Sequence, residues 1–178
     1  MRLFVAVNFD DVTKSRLLSI QEKIKEKSVR GNFTKPENFH LTLLFIGEVN
    51  AGLVPCITSI MEKLLPIPKT YTINFDRTGC FRHSGKELWW IGTDHENETG
   101  ISYLSEIRRQ IGDGLDMAGI PYDRRPFKAH ITLGREIKPT APITLPNEKI
   151  NIPVNHISLM KSEHIRGILT YTEIFKWQ

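Results

Sequence analysis

Residues 38–49 read "NFHLTLLFIGEV" and place a histidine, His40, at the start of an apolar run. Residues 128–137, "KAHITLGREI", repeat the pattern His-x-Thr-Leu at His130, about half of the 178-residue chain away. Successive side chains of a strand point to opposite faces, so each motif carries its histidine and threonine on one face and apolar side chains on the other. The duplication predicts two strands that present the same chemistry to one cleft.

Segments with strand and helix patterns alternate along the rest of the chain. "RLFVAVNF" predicts a buried strand, and an aspartate then caps a helix through "VTKSRLLSIQEKIKEK". Apolar residues at helical spacing predict two more helices, over residues 52–65 and 98–117. The remaining strands are "YTINFDRTGCF", "ELWWIGT", "AHITLG", "HISLMKS" and "ILTYTEIFKW", with a proline-studded connection over residues 139–153. Helices follow too few strands for a doubly wound parallel sheet, so the order predicts an α+β fold.

Length and composition predict one domain over residues 1–178, built as two packed lobes, since 40% of the residues are apolar. The first residues contain neither a cleavage site nor a membrane span, so we expect a soluble cytoplasmic protein. Cys56 and Cys80 lie far apart without CxxC spacing, which argues against a zinc site or a disulfide framework. The formal charge of +4 suits a polyanion such as RNA but is a weak indication by itself.

Two histidines facing one cleft favour acid and base catalysis at phosphorus. One imidazole can deprotonate an attacking water while a second, protonated one supplies a proton to the departing oxygen. Thr42 and Thr132 would hold the phosphate oxygens. Acyl transfer would need a nucleophilic serine or cysteine beside a base, and metal hydrolysis would need further ligands, whereas Glu37 and Glu136 lie outside the motifs. We therefore expect phosphodiester chemistry without a metal or another cofactor.

The segments "MRLFVAVNF", "FHLTLLFIGEV", "RPFKAHITLGR" and "LMKSEHIRGILTYTEI" resemble the RNA 2′,3′-cyclic phosphodiesterase family, also called 2′-5′ RNA ligase. This family belongs to the two-histidine phosphoesterase superfamily. The resemblance implies a bilobal α+β fold in which two pseudo-symmetric lobes of antiparallel sheet carry helices on their outer faces and enclose a central groove. It also implies hydrolysis of a terminal RNA 2′,3′-cyclic phosphate to a 2′-phosphate without metal. We expect the protein to be a monomer. One departure is "FKAHITL", where relatives often have proline before the histidine.

The same resemblance implies a role for each site residue. His40 would be the general acid toward the 3′ oxygen, and His130 the general base on water. Thr42 and Thr132 would bind phosphate oxygens, and Arg135 would contact the substrate. Arg135 lies five residues after His130, which is the wrong face of an unbroken strand, so it needs a bulge at the preceding glycine.

Other polar and aromatic residues have two interpretations. His156 begins "HISL", a near copy of the motif, but breaks the half-chain spacing, so we expect it to be non-catalytic. The same expectation holds for the remaining loop histidines, which are His83 and His95. Three basic residues before His130 could bind phosphates or be merely solvated; they are Arg124, Arg125 and Lys128. Three aromatic residues could stack bases or belong to the core; they are Trp89, Trp90 and Phe127.

Two other functions stay open at this point. The enzyme could act on a different phosphodiester, such as a 2′-5′ linkage or a cyclic nucleotide-sugar phosphate. Alternatively, the groove could belong to an RNA-binding module without turnover. The intact histidine and threonine pairs argue against the second alternative, because phosphate binding alone would more simply use lysine or arginine.

Overall fold

Ten strands and three α-helices are present in the computed structural model, which describes residues 1–67, 71–93, 99–145 and 149–178. In chain order the strands are β1 (Arg2–Asn8), β2 (Ser28–Phe33), β3 (His40–Glu48), β4 (Thr72–Phe75), β5 (Arg77–His83), β6 (Lys86–Gly92), β7 (His130–Pro139), β8 (Ile150–Pro153), β9 (Ile157–Ile165) and β10 (Ile168–Trp177). The helices are α1 (Asp11–Lys25), α2 (Val54–Met61) and α3 (Thr99–Met117).

The strands form two four-stranded antiparallel sheets, with the orders β10-β9-β1-β3 and β2-β7-β6-β5, and a two-stranded sheet, β4-β8. The predicted α+β class with antiparallel sheets is confirmed. Each large sheet contains one motif strand, β3 or β7, and these two strands approach each other across the groove. The symmetry is incomplete, because β3 is an edge strand whereas β7 has a neighbour on each side.

The lobes do not coincide with the halves of the chain. Strand β2, from the first half, joins β7, while β9 and β10, from the second half, join β1 and β3. Each large sheet therefore contains strands from both halves of the chain, and the connections between these strands link the two sheets covalently.

The faces of β3 and β7 that point away from the histidines form part of one hydrophobic core. Leu41, Leu43, Ile131 and Leu133 are at most 2% exposed and belong to one cluster that joins both large sheets. Burying a side chain of this size contributes about 2 kcal/mol. Helix α1 contacts β7 and α3 contacts β3, and the buried stripe of α3 joins the same cluster. The alternation within each motif therefore fixes which face holds the core.

Several boundaries differ from the sequence-based expectation. Strand β2 was not predicted, because it is polar and leaves Val29 mostly exposed. The segment "YTINFDRTGCF" is two strands, β4 and β5, which pair in different sheets, and periodicity cannot reveal a change of partner. Strand β8 lies within the proline-studded connection. Helix α2 ends at Met61, although Leu64 stays buried in the turn that follows.

Two smaller expectations concern the cysteines and the membrane. Cys56 and Cys80 are both free thiols, the first exposed and the second half-buried. No helix in the described part of the chain is long and apolar enough to span a bilayer. The single-domain organisation stays a prediction, supported by the shared core.

Candidate active site

The cavity between the two large sheets has a volume of about 600 Å³. All five predicted site residues line it: His40, Thr42, His130, Thr132 and Arg135. Each motif thus contributes its histidine and threonine to the same space, as the duplicated sequence predicts.

Both histidines have the same backbone anchor. Nδ1 of His40 lies 2.7 Å from the carbonyl oxygen of Asn38, and Nδ1 of His130 lies 2.7 Å from that of Lys128. A carbonyl oxygen can only accept, so each Nδ1 must carry a hydrogen. Nε2 is then the atom of each ring that exchanges a proton. In both motifs the acceptor is the backbone carbonyl of the residue two positions before the histidine. Every residue has such a carbonyl, so the motif sequence does not predict this contact.

The two motif threonines have different partners in the cavity. Nε2 of His40 lies 2.9 Å from Oγ1 of Thr42, so the hydroxyl donates to the ring when His40 is neutral. Nη2 of Arg135 donates to Oγ1 of Thr132 over a long 3.4 Å. These hydroxyls and the guanidinium are the donors that a phosphate oxygen would meet in the cavity.

Strand β7 bulges at the last residue of its motif, Leu133. Thr132 pairs with Trp90, but the next step along β6, Trp89, pairs with Gly134, so β7 contains an extra residue. The side chain of Arg135 is consequently turned out of the core and lines the cavity. The bulge predicted from the position of Arg135 is confirmed.

Strand β3 bulges at the equivalent place, which was not predicted. Thr42 pairs with Ala6, and the next residue of β1, Val5, pairs with Leu44. Phe45 is therefore 41% exposed and lines the cavity, five residues after His40, just as Arg135 follows its own histidine. The equivalent spacing in the two motifs was the signal that could have identified Phe45. The cavity thus receives an aromatic ring from one bulge and a cation from the other.

A buried glutamine holds the bulge of β7. Nε2 of Gln21, in α1, donates to the carbonyl oxygens of Leu133 and Thr34 at 2.6 and 2.7 Å. The backbone N–H of Thr34 donates to the same Leu133 oxygen at 3.0 Å. A bulge disrupts the regular ladder, and these bonds satisfy a carbonyl next to it.

His40 packs against two aromatic rings that also contact each other. The ring centroids of Phe4 and Tyr171 are 5.0 and 5.1 Å from that of His40, and Tyr171 meets it edge-on. Tyr171 comes from β10, far away in the sequence, so no local pattern indicated this contact.

This enclosure changes the acidity of His40. The pKa of His40 is lowered to about 4, mainly by burial and also by the nearby charge of Arg135 and by that of His130 when it is protonated, while the hydrogen bond to the Asn38 carbonyl opposes the shift. His40 is therefore neutral at pH 7 in the free protein. For it to donate a proton, a bound anion must first raise its pKa.

The other candidate residues lie outside this cavity. Nε2 of His156 is 3.5 Å from a Glu173 oxygen, and His156 is not among the lining residues. His83 is the last residue of β5 rather than part of a loop, and His95 lies outside the described residues. His164, which was not singled out, does line the cavity.

The basic residues before His130 divide into two groups. Arg124 forms an ion pair with Asp116, and Arg125 forms one with Asp123, both at the surface. Lys128 is exposed and lines a neighbouring cavity. Of the three, only Lys128 is placed beside the groove.

The adjacent tryptophans have different environments. Trp89 is 5% exposed and donates from Nε1 to Glu87 at 2.7 Å, so it belongs to the core. Trp90 is half-buried and lines the neighbouring cavity together with Phe127. Of the two tryptophans, Trp89 therefore belongs to the core, whereas Trp90 is partly exposed.

Among the described residues, no three histidine, cysteine, aspartate or glutamate side chains are grouped so that they could hold a metal ion. The expectation of metal-free chemistry stays a prediction.

Comparisons with known proteins identify relatives along most of the chain. The family described as LigT like Phosphoesterase matches residues 9–90, which include the first motif. An RNA 2′,3′-cyclic phosphodiesterase of Archaeoglobus fulgidus is 35% identical over 142 residues, covering 76% of this chain and 72% of the relative. Another, from Thermus thermophilus, is 28% identical over 166 residues, covering 92% and 82%.

Solved structures share the fold over nearly the whole chain. A crystal structure of a Thermus thermophilus protein superposes with a TM-score of 0.75 at 28% identity, covering 99% of this chain and 97% of its own. The apo form of Escherichia coli LigT superposes with a TM-score of 0.76 at 23% identity, covering 99% and 95%. The second similarity concerns the fold alone.

Proposed function

Because the chain belongs to the RNA 2′,3′-cyclic phosphodiesterase family of LigT-like, two-histidine phosphoesterases, we propose that it hydrolyses a 2′,3′-cyclic phosphate at an RNA end to a 2′-phosphate. The observation that carries the proposal is the pair of identically anchored histidines, His40 and His130, which share one cavity with two threonines. Curated relatives are named for this activity.

The proposed reaction is an in-line displacement at phosphorus. Nε2 of His130 takes a proton from water as the water oxygen bonds to phosphorus. The bond from phosphorus to the 3′ oxygen breaks, and that oxygen receives the proton of His40 Nε2. The products are a 2′-phosphate and a 3′-hydroxyl, and the two rings then exchange protons with solvent. In-line attack requires the base and the acid on opposite sides of phosphorus, and β3 and β7 supply them from opposite sheets.

The acid role of His40 depends on the substrate. A phosphodiester carries a negative charge, which favours the protonated ring and opposes the burial that lowers the pKa of His40 to about 4. Substrate binding would thus favour the protonated form of His40, which is the form that can act as the acid. The assignment of His40 as acid and His130 as base comes from the family resemblance.

The remaining cavity residues bind the substrate in this proposal. Thr42, Thr132 and Arg135 donate to the non-bridging oxygens of the phosphate. The exposed ring of Phe45 offers a stacking face for the terminal base. A cytoplasmic location and a monomeric state, both expected from the sequence and resemblance, stay predictions.

The test is to incubate the protein with an oligonucleotide ending in a 2′,3′-cyclic phosphate in the presence of excess chelator. We expect turnover, with phosphorus NMR identifying a 2′-phosphate as the product. A 3′-phosphate would mean that the other bond breaks. Binding without turnover would favour the RNA-binding alternative, and activity lost to the chelator and restored by one divalent metal would contradict the metal-free mechanism.

A further inference from the structure

A second cavity, with a volume of about 480 Å³, adjoins the first. His130 lines both cavities, so the two form one continuous surface at β7. The second cavity extends from His130 across the sheet to Phe81 and Trp90, and none of the residues beyond His130 has a part in the proposed reaction.

The strand register brings this surface directly to the reaction site. Thr132 on β7 pairs with Trp90 on β6, and Trp90 pairs with Gly79 on β5. Side chains directly opposite each other point to the same face of a sheet. Trp90 therefore stands beside Thr132 on the groove side, and Phe81, two residues after Gly79, projects from the same face one strand further.

Glycines allow the indole of Trp90 to lie flat on the sheet. A Cβ on Gly79 would come within 2.0 Å of the Trp90 ring, and a Cβ on Gly92 within 3.2 Å. The ring of Phe81 lies 5.7 Å from that of Trp90 at an interplanar angle of 34°, and Phe81 is 58% exposed. The two residues form an aromatic platform, which we define as Phe81 and Trp90. An aromatic ring that faces solvent on a sheet is the kind of surface on which an unpaired base stacks.

Positive charge lies at the edge of the aromatic platform. Arg77 and Lys128 are exposed and line the same cavity. A cationic rim beside stacking rings matches the chemistry of single-stranded nucleic acid, whose phosphates and bases alternate along the chain.

We propose that the aromatic platform binds the base of the nucleotide that precedes the cyclic-phosphate terminus of an RNA substrate. This inference rests on the proposed function. In this arrangement the cyclic phosphate lies between His40 and His130, and the terminal base faces Phe45. The rest of the RNA strand then passes His130 and continues towards Phe81. The occupant is thus single-stranded RNA of at least two nucleotides, and a nucleoside 2′,3′-cyclic phosphate fills only the first cavity.

The test compares a dinucleotide that ends in a 2′,3′-cyclic phosphate with the corresponding nucleoside 2′,3′-cyclic phosphate. The wild-type ratio of the two kcat/KM values should favour the dinucleotide by about tenfold or more, the size of effect that stacking of one base produces. Phe81→Leu keeps apolar bulk but removes the ring, so the ratio should fall towards one. Phe81→Tyr keeps the ring and should retain the preference. A wild-type ratio near one, or an unchanged ratio in Phe81→Leu, would overturn the inference.

A binding measurement separates this inference from the proposed function. The probe is the dinucleotide ending in a 2′-phosphate, titrated against wild type, Phe81→Leu and Phe81→Tyr and followed by tryptophan fluorescence. We expect the dissociation constant of Phe81→Leu to be about tenfold higher than that of wild type, and that of Phe81→Tyr to be unchanged. Weaker binding by Phe81→Leu together with no hydrolysis would support the aromatic platform and reject the proposed activity. Hydrolysis with equal dissociation constants in all three proteins would reject the platform alone.

Discussion

His40 and His130 have the same motif and the same backbone anchor, yet their surroundings differ. His40 is packed against Phe4 and Tyr171, and this burial lowers its pKa to about 4. The difference matters because an acid must be protonated when the reaction begins. The free protein is therefore not in its reactive protonation state at neutral pH, and substrate binding has to change it.

The lowered pKa of His40 predicts a loss of stability in acid. Between the ordinary pKa of 6.5 and about 4, the unfolded chain binds a proton at this residue that the folded protein does not. The free energy of unfolding should therefore decrease as the pH falls through this window, by on the order of 1 to 3 kcal/mol, and decrease no further from this residue below pH 4. Urea unfolding at pH 7, 5 and 4 measures it.

The matched variant for this experiment is His40→Gln, which lacks the titrating ring. Carboxylates also contribute to acid unfolding, so the readout is the difference between wild type and variant at each pH. The free energy of unfolding of the wild type minus that of the variant should decrease as the pH is lowered, and it can become negative. Parallel profiles would show that His40 titrates at its ordinary pKa.

The sequence could predict that the five candidate residues share one cavity, whereas it could not predict their environment. The repeated His-x-Thr-Leu motif is enough to single out two histidines and two threonines as candidates. The anchors are backbone carbonyls, which every residue has, and Tyr171 reaches His40 only because β10 joins the first sheet. Burial, and with it the lowered pKa of His40, follows from contacts that only the folded chain makes.

At the scale of the elements, the two motif strands share a bulge as well as a motif. The alternation of side chains predicts the bulge in β7, because Arg135 would otherwise face the core. In β3 the residue at the equivalent spacing is Phe45, and an apolar residue facing the core is compatible with an unbroken strand, so only the comparison with the second motif indicates the bulge. Strand β2 was missed for a different reason: its partner β7 supplies the burial that its own sequence does not indicate.

The bulge in β7 should be sensitive to the size of residue 134. A Cβ at Gly134 would lie 2.8 Å from Cδ1 of Ile137 and 3.2 Å from Cδ1 of Phe33, and Ile137 is fully buried. Gly134→Ala should therefore lower the free energy of unfolding by about 1 to 3 kcal/mol. By displacing Arg135 it should also lower kcat/KM by about 10- to 100-fold.

A double-mutant cycle tests whether this effect acts through Arg135. In an Arg135→Ala background, Gly134→Ala should cost little further activity, because the displaced guanidinium is already absent. Gly52→Ala is the control, since its Cβ would meet only Asn50 Oδ1, at 3.4 Å. Losses that multiply in the double variant would mean that the bulge does not serve to aim Arg135.

At the scale of the whole molecule, the two sheets place the two histidines on opposite sides of one groove. The α+β class and the paired lobes follow from the order of elements and the spacing of the motifs. The exchange of β2, β9 and β10 between the sheets could not be predicted, because it depends on pairing between strands distant in sequence. The proposed mechanism depends on this arrangement, since in-line displacement needs a base and an acid that face each other across phosphorus.

The most direct test of the two-histidine mechanism uses a 2′,3′-cyclic phosphate in which sulfur replaces the bridging 3′ oxygen. A thiolate leaves readily without a proton, because the pKa of a thiol is about 8.5. On the ordinary substrate, His40→Ala and His130→Ala should each lose about 10² to 10⁴ in rate, while His156→Ala, the control outside the cavity, stays within a few-fold of wild type. On the sulfur substrate, His40→Ala should recover most of its activity and His130→Ala should stay impaired. Recovery of His130→Ala instead would reverse the two roles, and full activity of both variants on the ordinary substrate would contradict catalysis by the histidine pair.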